Sequence, residues 1–330
     1  MMTMMIAVLP GDGIGPEVLR SAIDVLKKVA PDLETVHGDV GLECFSRRGE
    51  YLPDDTIDLI KASDAVLFGA ITTPLKAEGY RSPILRIRKE FDLYANLRPV
   101  RNPAPGIGLV DMDVVIVREN TEGMYTGDET VDADGVDLRR RVSRAASERI
   151  CRFARELSES QGRKRVTCVH KANVLRKSDG LFRDVFYEVM EGSDIDSRDM
   201  IVDAAAAALV TSPQDLDVIV TLNLYGDILS DEAAALAGGL GIAPSANLGD
   251  RHALFEPVHG SAPDIAGRGI ANPTAALLTT AMMLEHIGRA DEAASLRGAV
   301  TASLSSGHRT RDLGGDLGTY EFTEQVLSRL

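Results

Sequence analysis

Short apolar runs alternate along this chain with longer amphipathic stretches, and that alternation limits its architecture more than any other feature. MIAVLP leads into PEVLRSAIDVLKKVA, and DAVLFGA, VDMDVVIVREN, RKRVTCVHKAN and LDVIVTLNLYGD repeat the strand-length pattern. Runs of this kind read as buried strands, and their interleaving with helical periodicity predicts an α/β fold with parallel or mixed sheet covered by helices. Helix ends are marked as well. SERICRFARELSESQG stops at Gly162, and NPTAALLTTAMMLEHIG opens with Asn272 and Pro273, residue types suited to those ends. A length of 330 residues predicts about two domains at roughly 100 to 200 residues each. No repeat with a period of about 20 to 50 residues and no low-complexity linker interrupts the chain, so a domain boundary is structural and not compositional.

Composition excludes several classes. With 44% hydrophobic residues the chain is neither disordered nor fibrous, and a formal charge of −14 argues against a nucleic-acid partner, which needs clustered cations on a basic surface. An anionic substrate would therefore need a local cationic pocket. Cys44, Cys151 and Cys168 are odd in number and lack metal-site spacing, which reads as buried thiols in a reducing cytoplasm. The opening MMTMMIAVLPGDG is too short for a signal core and lacks its basic flank. With no apolar run of about 18 residues, no membrane partner is expected. The segment 126–144, TGDETVDADGVDLRRRVSR, has too little apolar content for a core element. It is either a solvated loop or an arm that pairs with another subunit.

Candidate chemistry is spread along the chain. Gly11-Asp12-Gly13-Ile14-Gly15-Pro16 joins a strand to a helix without the GxGxxG spacing; it is either a phosphate-cradling loop or a tight turn. Ser82 and Pro83 start a helix on which Ile84, Leu85 and Arg88 share a face, with Arg81 just before it and Arg86 pointing elsewhere. Arg98 and Arg118 close extended segments. Each alone reads as a surface ion pair; together they offer bidentate partners to a di- or tricarboxylate. Asp227 and Asp231, four apart on a helix, can hold one hard cation. Asp203 is a third ligand or a helix N-cap, and an all-aspartate set favours Mg2+ or Mn2+ over zinc. Lys171 is a base or a lysine at a sheet end, and Tyr125 a proton donor or an interface tyrosine.

The stretches LPGDGIGPEV, DLYANLRPVR, VIVRENTEGMY, HKANVLRKSDGLF, NLYGDILSDEAA, GGLGIAPSANLGD, FEPVHGSAPDIAGRGIANPTAA and RTRDLGGDLGT resemble, in order, the β-decarboxylating 2-hydroxyacid dehydrogenases, which include 3-isopropylmalate, isocitrate and homoisocitrate dehydrogenases. The resemblance implies an isopropylmalate dehydrogenase-like two-domain α/β fold with mixed sheets, not Rossmann. It implies a large domain from 1–96 and 238–330 and a small one from 97–237, whose arm at about 126–144 clasps a partner in a homodimer or a tetramer. It further implies that Arg88, Arg98 and Arg118 clamp the malate core, with Asn173 in the substrate pocket. Tyr125 would protonate C3, and Lys171 from the other subunit would take the 2-hydroxyl proton. Asp227 and Asp231 would hold the metal with the partner chain's Asp203, K+ being a further ion.

By the same resemblance the nucleotide lies against Ile14, Thr72, Glu256, His259, Gly260, Ser261, Ala262, Asp264, Ile265, Asn272 and Asp312. Asp264 implies NAD, because a carboxylate accepts ribose hydroxyls and repels a 2′-phosphate. Substrate choice rests on Arg81, Ser82, Ile84 and Leu85. Isocitrate specialists carry asparagine where Ile84 stands, whereas Arg81 suits a distal carboxylate, and the run EGYRSPILRIRKEF resembles homoisocitrate dehydrogenases. Homoisocitrate-type substrates are thus expected ahead of 3-isopropylmalate, with one enzyme accepting both as a variant of that reading. A noncatalytic regulatory subunit is disfavoured because Tyr125, Lys171 and the three aspartates are all present.

Overall fold

The apolar runs form strands in the computed structural model, which describes residues 4–74 and 80–330; Glu78 and Gly79 of the EGYRSPILRIRKEF run lie outside them. The chain first lays down β1 (Met5–Gly11), α1 (Gly15–Val29), β2 (Glu34–His37), α2 (Leu42–Arg48), α3 (Asp54–Ala62), β3 (Ala65–Ala70) and α4 (Pro83–Glu90). It continues with β4 (Ala95–Arg101), β5 (Asp113–Glu119), β6 (Glu129–Val131), β7 (Val136–Leu138), α5 (Arg144–Gln161), β8 (Arg165–His170), α6 (Ser178–Met190), β9 (Asp196–Ile201), α7 (Val202–Thr211), β10 (Val218–Thr221) and α8 (Asn223–Ala237). The last elements are β11 (Pro244–Leu248), β12 (Ala253–Pro257), α9 (Thr274–His286), α10 (Ala290–Ser305) and α11 (Thr319–Leu327). They fall into two compact units, one of Met1–Asp92, Asn102–Gly108 and Gly238–Leu330, the other of Leu93–Arg101 and Leu109–Ala237.

In the first unit β1 pairs in parallel with β2 and β3, β3 with β12, and β11 runs antiparallel to β12. Ile6, Ala7, Val8 and Leu9 are all fully buried, which is why this strand reads as a continuous apolar run and not an alternating one. Helix α1 turns Val18, Leu19, Ala22, Val25 and Leu26 inward and packs against α9 and α11. The Asn272 side chain accepts the Thr274 amide at 2.9 Å at the head of α9. Residues 102–108 fall in this unit, although the resemblance implies the small domain for them. Asn102 bonds the Ile107 carbonyl at 2.7 Å, and the Thr301 hydroxyl bonds that of Pro103 at 3.0 Å.

In the second unit β4 is antiparallel to β5, and β10 lies between β5 and β8 in parallel, with β9 beyond β8. Residues 93–96 belong here because β4 pairs with β5 from Ala95 onward. Helix α8 packs on β4 and β5, while α5 packs on β5 and β10. Gly162 ends α5 in the left-handed region at φ 66, as its position after the helix requires. The segment 126–144 contains an antiparallel hairpin, β6 with β7, in which Val131 is 74% and Val136 60% exposed. Cys44, Cys151 and Cys168 are free and buried. Among the described residues no helix is long and apolar enough to cross a membrane.

Candidate active site

In the second unit a short β10-to-α8 connection places Asn223, Asp227 and Asp231 on one face of α8 at successive turns. Arg118, at the end of β5 with its side chain only 1% exposed, donates from Nε and Nη2 to Asn223 Oδ1 at 3.1 and 2.7 Å and from Nη1 to Asp227 Oδ1. Arg98 lies mid-strand on β4, not at its end as expected from the sequence. It donates to Asn96 Oδ1 at 2.7 Å, Asp231 Oδ1 at 3.1 Å and Asp227 Oδ1 at 3.2 Å. The Tyr125 hydroxyl donates to Asp227 Oδ2, and the Arg118 guanidinium sits 5.0 Å over the Tyr125 ring. A Cβ on Gly226 would stand 2.6 Å from Arg118 Cγ, so only glycine lets α8 lie this close to the buried arginine.

Burial raises the Tyr125 phenol, and its bond to Asp227 raises it further, so Tyr125 keeps its proton at neutral pH. Burial also raises Asp231, helped by Asp227 and opposed by Arg98. A shared cation would relieve that carboxylate repulsion. Asp227 and Asp231 thus fit a hard divalent ion in donor chemistry and spacing. Asp203 lies elsewhere in the chain's own arrangement, in the first turn of α7 and not at its N-cap, where its carboxylate accepts from Lys171 Nζ. Among the described residues no three His, Cys, Asp or Glu side chains converge as a metal centre. One chain therefore groups Tyr125, Asp227 and Asp231, and separately pairs Lys171 with Asp203.

Lys171 is the first residue beyond β8, and its amide donates to Asp179 Oδ2 at 2.7 Å. The next amide, of Ala172, donates to His170 Nδ1 at 3.0 Å, which leaves His170 Nε2 to donate to Asp199 Oδ2 at 2.9 Å. Asn173 follows, exposed, in the turn. Tyr225, on α8, is pushed up to about 12 by burial and by Asp179, and its hydroxyl donates to that carboxylate at 3.0 Å. Asn223, Asn96 and Asp179 were not among the sequence candidates. Asn223 alone had a signal, since it stands four residues before Asp227.

In the first unit, α4 carries Arg88 buried, Ile84 and Leu85 half-buried, and Arg81 exposed just before it. Ser82 occupies the N-cap position but makes no side-chain capping bond. Arg86 does point away, pairing with Glu90 at 3.3 Å. Arg88 Nη2 donates to Glu256 Oε1 at 2.8 Å, and Asn247 donates to the same oxygen at 2.7 Å. Arg88 Nε is buried without a partner among the described residues, a donor available to an anionic ligand.

The glycine turn at 11–15 braces the loop after β12. The Ile14 amide donates to the Ser261 carbonyl at 2.8 Å, and a Cβ on Gly13 would stand 1.9 Å from that oxygen. The Thr72 hydroxyl donates to Ser261 Oγ at 2.7 Å, and buried Asp12 accepts the Thr72 amide at 2.9 Å. Of the two readings open for this motif, these contacts are those of a tight packing turn. Ile265 packs with Ile14 in one apolar cluster, while Ala262 holds a φ of 37. Asn272 donates to Asp312 at 2.9 Å. Gly260 and Asp264 are exposed. Burial lowers His259, so its ring is neutral at pH 7, and its Nε2 is buried without a partner among the described residues. A partnerless ring nitrogen, an exposed carboxylate and an apolar shelf fit the adenosine part of a dinucleotide.

Comparison with known proteins places the chain in a family. The model of the family described as isocitrate/isopropylmalate dehydrogenase matches residues 5–326. The chain belongs to the isocitrate/isopropylmalate dehydrogenase family. It is 50% identical to a 3-isopropylmalate dehydrogenase of Methanothermobacter thermautotrophicus, over 100% of this chain and 99% of that one. It is 48% identical to a homoisocitrate dehydrogenase of Methanocaldococcus jannaschii, over 98% and 97%. An isocitrate dehydrogenase structure from Methylococcus capsulatus superposes with a TM-score of 0.95 at 42% identity, covering 99% of each chain. The expected isopropylmalate dehydrogenase-like fold is thereby established, as is membership among decarboxylating dehydrogenases.

Proposed function

We propose that this family member oxidises and decarboxylates a 3-substituted malate with NAD and Mg2+ or Mn2+, homoisocitrate-type acids standing ahead of 3-isopropylmalate. The cluster of buried Arg98 and Arg118 with Tyr125, Asp227 and Asp231 carries the reading, since it combines guanidinium groups for carboxylates, a protonated phenol and two hard-cation ligands. Asp227 and Asp231 would hold the cation with Asp203 of a second copy. When bound, the cation would supply Lewis acidity and the nicotinamide a hydride acceptor. Lys171 takes the hydroxyl proton as C2 is oxidised. The new carbonyl receives the electrons released when the β-carboxylate leaves as CO2, and Tyr125 returns a proton to C3. Arg98 and Arg118 orient the malate carboxylates through these steps.

Asp264, exposed on the nucleotide loop, supports NAD over NADP. The exposed valines of the β6–β7 hairpin support an arm that buries against a second copy in a homodimer or tetramer. The three buried thiols suit a reducing cytoplasm. Arg81, exposed and without an ion pair among the described residues, supports a substrate with a distal carboxylate. Half-buried Ile84 and Leu85 support the second reading, 3-isopropylmalate.

NADH formation with Mg2+ and K+ tests the proposal, comparing kcat/KM for homoisocitrate, 3-isopropylmalate and isocitrate and repeating the series with NADP. A lead of about tenfold for homoisocitrate, or 1.4 kcal/mol of transition-state preference, is expected, and Arg81→Ala should erase it by raising KM for that acid alone. Equal losses on both acids would sink the role of Arg81. Tighter binding of NADP would overturn the nucleotide assignment, and no turnover of any acid would favour a regulatory subunit.

A further inference from the structure

Asp179 is a fully buried carboxylate that takes no part in the proposed chemistry, yet it touches two segments that do and the tail of the β6–β7 hairpin. It lies in the first turn of α6. Its Oδ2 accepts the Lys171 amide at 2.7 Å and the Tyr225 hydroxyl at 3.0 Å, and its Oδ1 accepts Arg140 Nη1 at 2.6 Å and Ser178 Oγ at 3.3 Å. Arg140 belongs to the tail of the β6–β7 hairpin, two residues past β7, and its guanidinium lies 5.6 Å over the Tyr225 ring while also donating to Ser178 Oγ at 3.0 Å. Tyr225 stands two residues before Asp227 on α8.

The arrangement is more than a stabilising ion pair. A buried carboxylate persists in charged form only when a cation and several donors satisfy it, and here the cation comes from the hairpin. The Lys171 amide lies one residue beyond the last rung of the β8–β9 ladder, His170 with Ile201, so the sheet does not fix it. Asp179 does. Withdrawing Arg140 leaves the carboxylate short of its counter-ion, and a carboxylate drawn toward water loosens its hold on that amide.

We propose that Asp179 and Arg140 are positioning residues that link the seating of the β6–β7 hairpin to the placement of Lys171 and of α8. The inference rests on Lys171 being the proton acceptor of the proposed reaction, and it gives the hairpin a role in activity besides assembly.

The test uses the full-length protein with Arg140→Gln, Arg140→Lys and Asp179→Asn. It reads thermal melting, sedimentation, hydrogen exchange of the peptide containing the Lys171 amide, kcat and KM, and the kcat isotope effect with substrate deuterated at C2. Arg140→Gln is expected to speed exchange at Lys171 and to lower kcat by about 10- to 100-fold, the size of loss a misplaced catalytic group produces, with KM nearly unchanged. The deuterium effect should grow as the oxidation step becomes limiting, and Arg140→Lys should restore most of the rate. Asp179→Asn should act in the same direction; should it fail to fold, the Arg140 pair decides. Unchanged exchange and kcat in folded Arg140→Gln would overturn the proposal. So would a loss that vanishes at concentrations where assembly is complete, or one with no change in isotope effect. Absence of turnover in the unmodified protein would instead defeat the proposed reaction, and the exchange measurement would still decide the link between Arg140 and the Lys171 amide.

Discussion

Replacing Gly13 by alanine measures how firmly the glycine turn braces the loop after β12, proposed above to hold the nucleotide. Gly13 sits at φ +61, and a Cβ there would lie 1.9 Å from the Ser261 carbonyl oxygen and 2.9 Å from Ser261 Cβ. Two costs add. The left-handed conformation costs an L-residue roughly 1–2 kcal/mol, and overpacking against a fixed backbone adds about 1–3 kcal/mol. Gly49→Ala isolates the first, because Gly49 has a φ of +77 and nothing within 4 Å of its would-be Cβ. Urea unfolding should therefore show a loss of about 2–5 kcal/mol for Gly13→Ala and about 1–2 kcal/mol for Gly49→Ala. Relief of the clash moves Ser261, which also holds the Thr72 hydroxyl and the Ile14 amide. NADH titration followed by nucleotide fluorescence should then show weaker binding in Gly13→Ala, tenfold for each 1.4 kcal/mol of strain expressed in the loop, while KM for the acid changes little. A Gly13→Ala protein that matches Gly49→Ala in stability and binds NADH like the unmodified enzyme would refute the reasoning.

Tyr125→Phe keeps the ring beneath Arg118 and removes only the hydroxyl; kcat for NADH formation should fall by about 10²- to 10⁴-fold, the usual worth of a positioned acid, and a loss under threefold would remove Tyr125 from that role. A pH prediction follows from Asp199. Burial raises this carboxylate, but bonds from the Tyr187 hydroxyl at 2.6 Å and from His170 outweigh it and hold the group below its usual 3.8. A depressed folded value contributes stability that is present above 3.8 and lost as pH falls through the folded value. Tyr187→Phe should thus be less stable than the unmodified protein at pH 7, with the gap closing below the usual 3.8. A gap that stays constant down to acid pH would show that Tyr187 acts through packing alone.

What could be read from the chain without a structure divides by sequence distance. The strands were legible because strands buried on both faces leave continuous apolar runs, as in Val114 to Val117 of β5. The α5 terminus was legible because Gly162 supplies a left-handed φ. The pair Asp227 and Asp231 was legible because one helical turn is a local rule. The segment 126–144 was not, since polarity is the same for a solvated loop and an exposed hairpin, and only the pairing of Thr130 with Asp137 separates them.

The site's supporting residues follow the same division from the other side. Asn223 reaches Arg118 across 105 positions, and Ser261 reaches Thr72 across 189; no local pattern encodes either. The glycine turn makes the point most sharply. GDGIGP is consistent with a phosphate cradle or a plain turn, and the choice depends on the Ser261 carbonyl that occupies the space a Cβ at Gly13 would need. Asp179 stands within HKANVLRKSDGLF, where a lone aspartate in a first helical turn looks like no more than a favourable charge near the helix dipole. Its burial and four donors come from Ser178, Lys171, Arg140 and Tyr225, so its meaning lies in the convergence of a hairpin, a strand end and a second helix. Residues that carry chemistry announce themselves by type and spacing, whereas residues that hold them in place are defined by the fold.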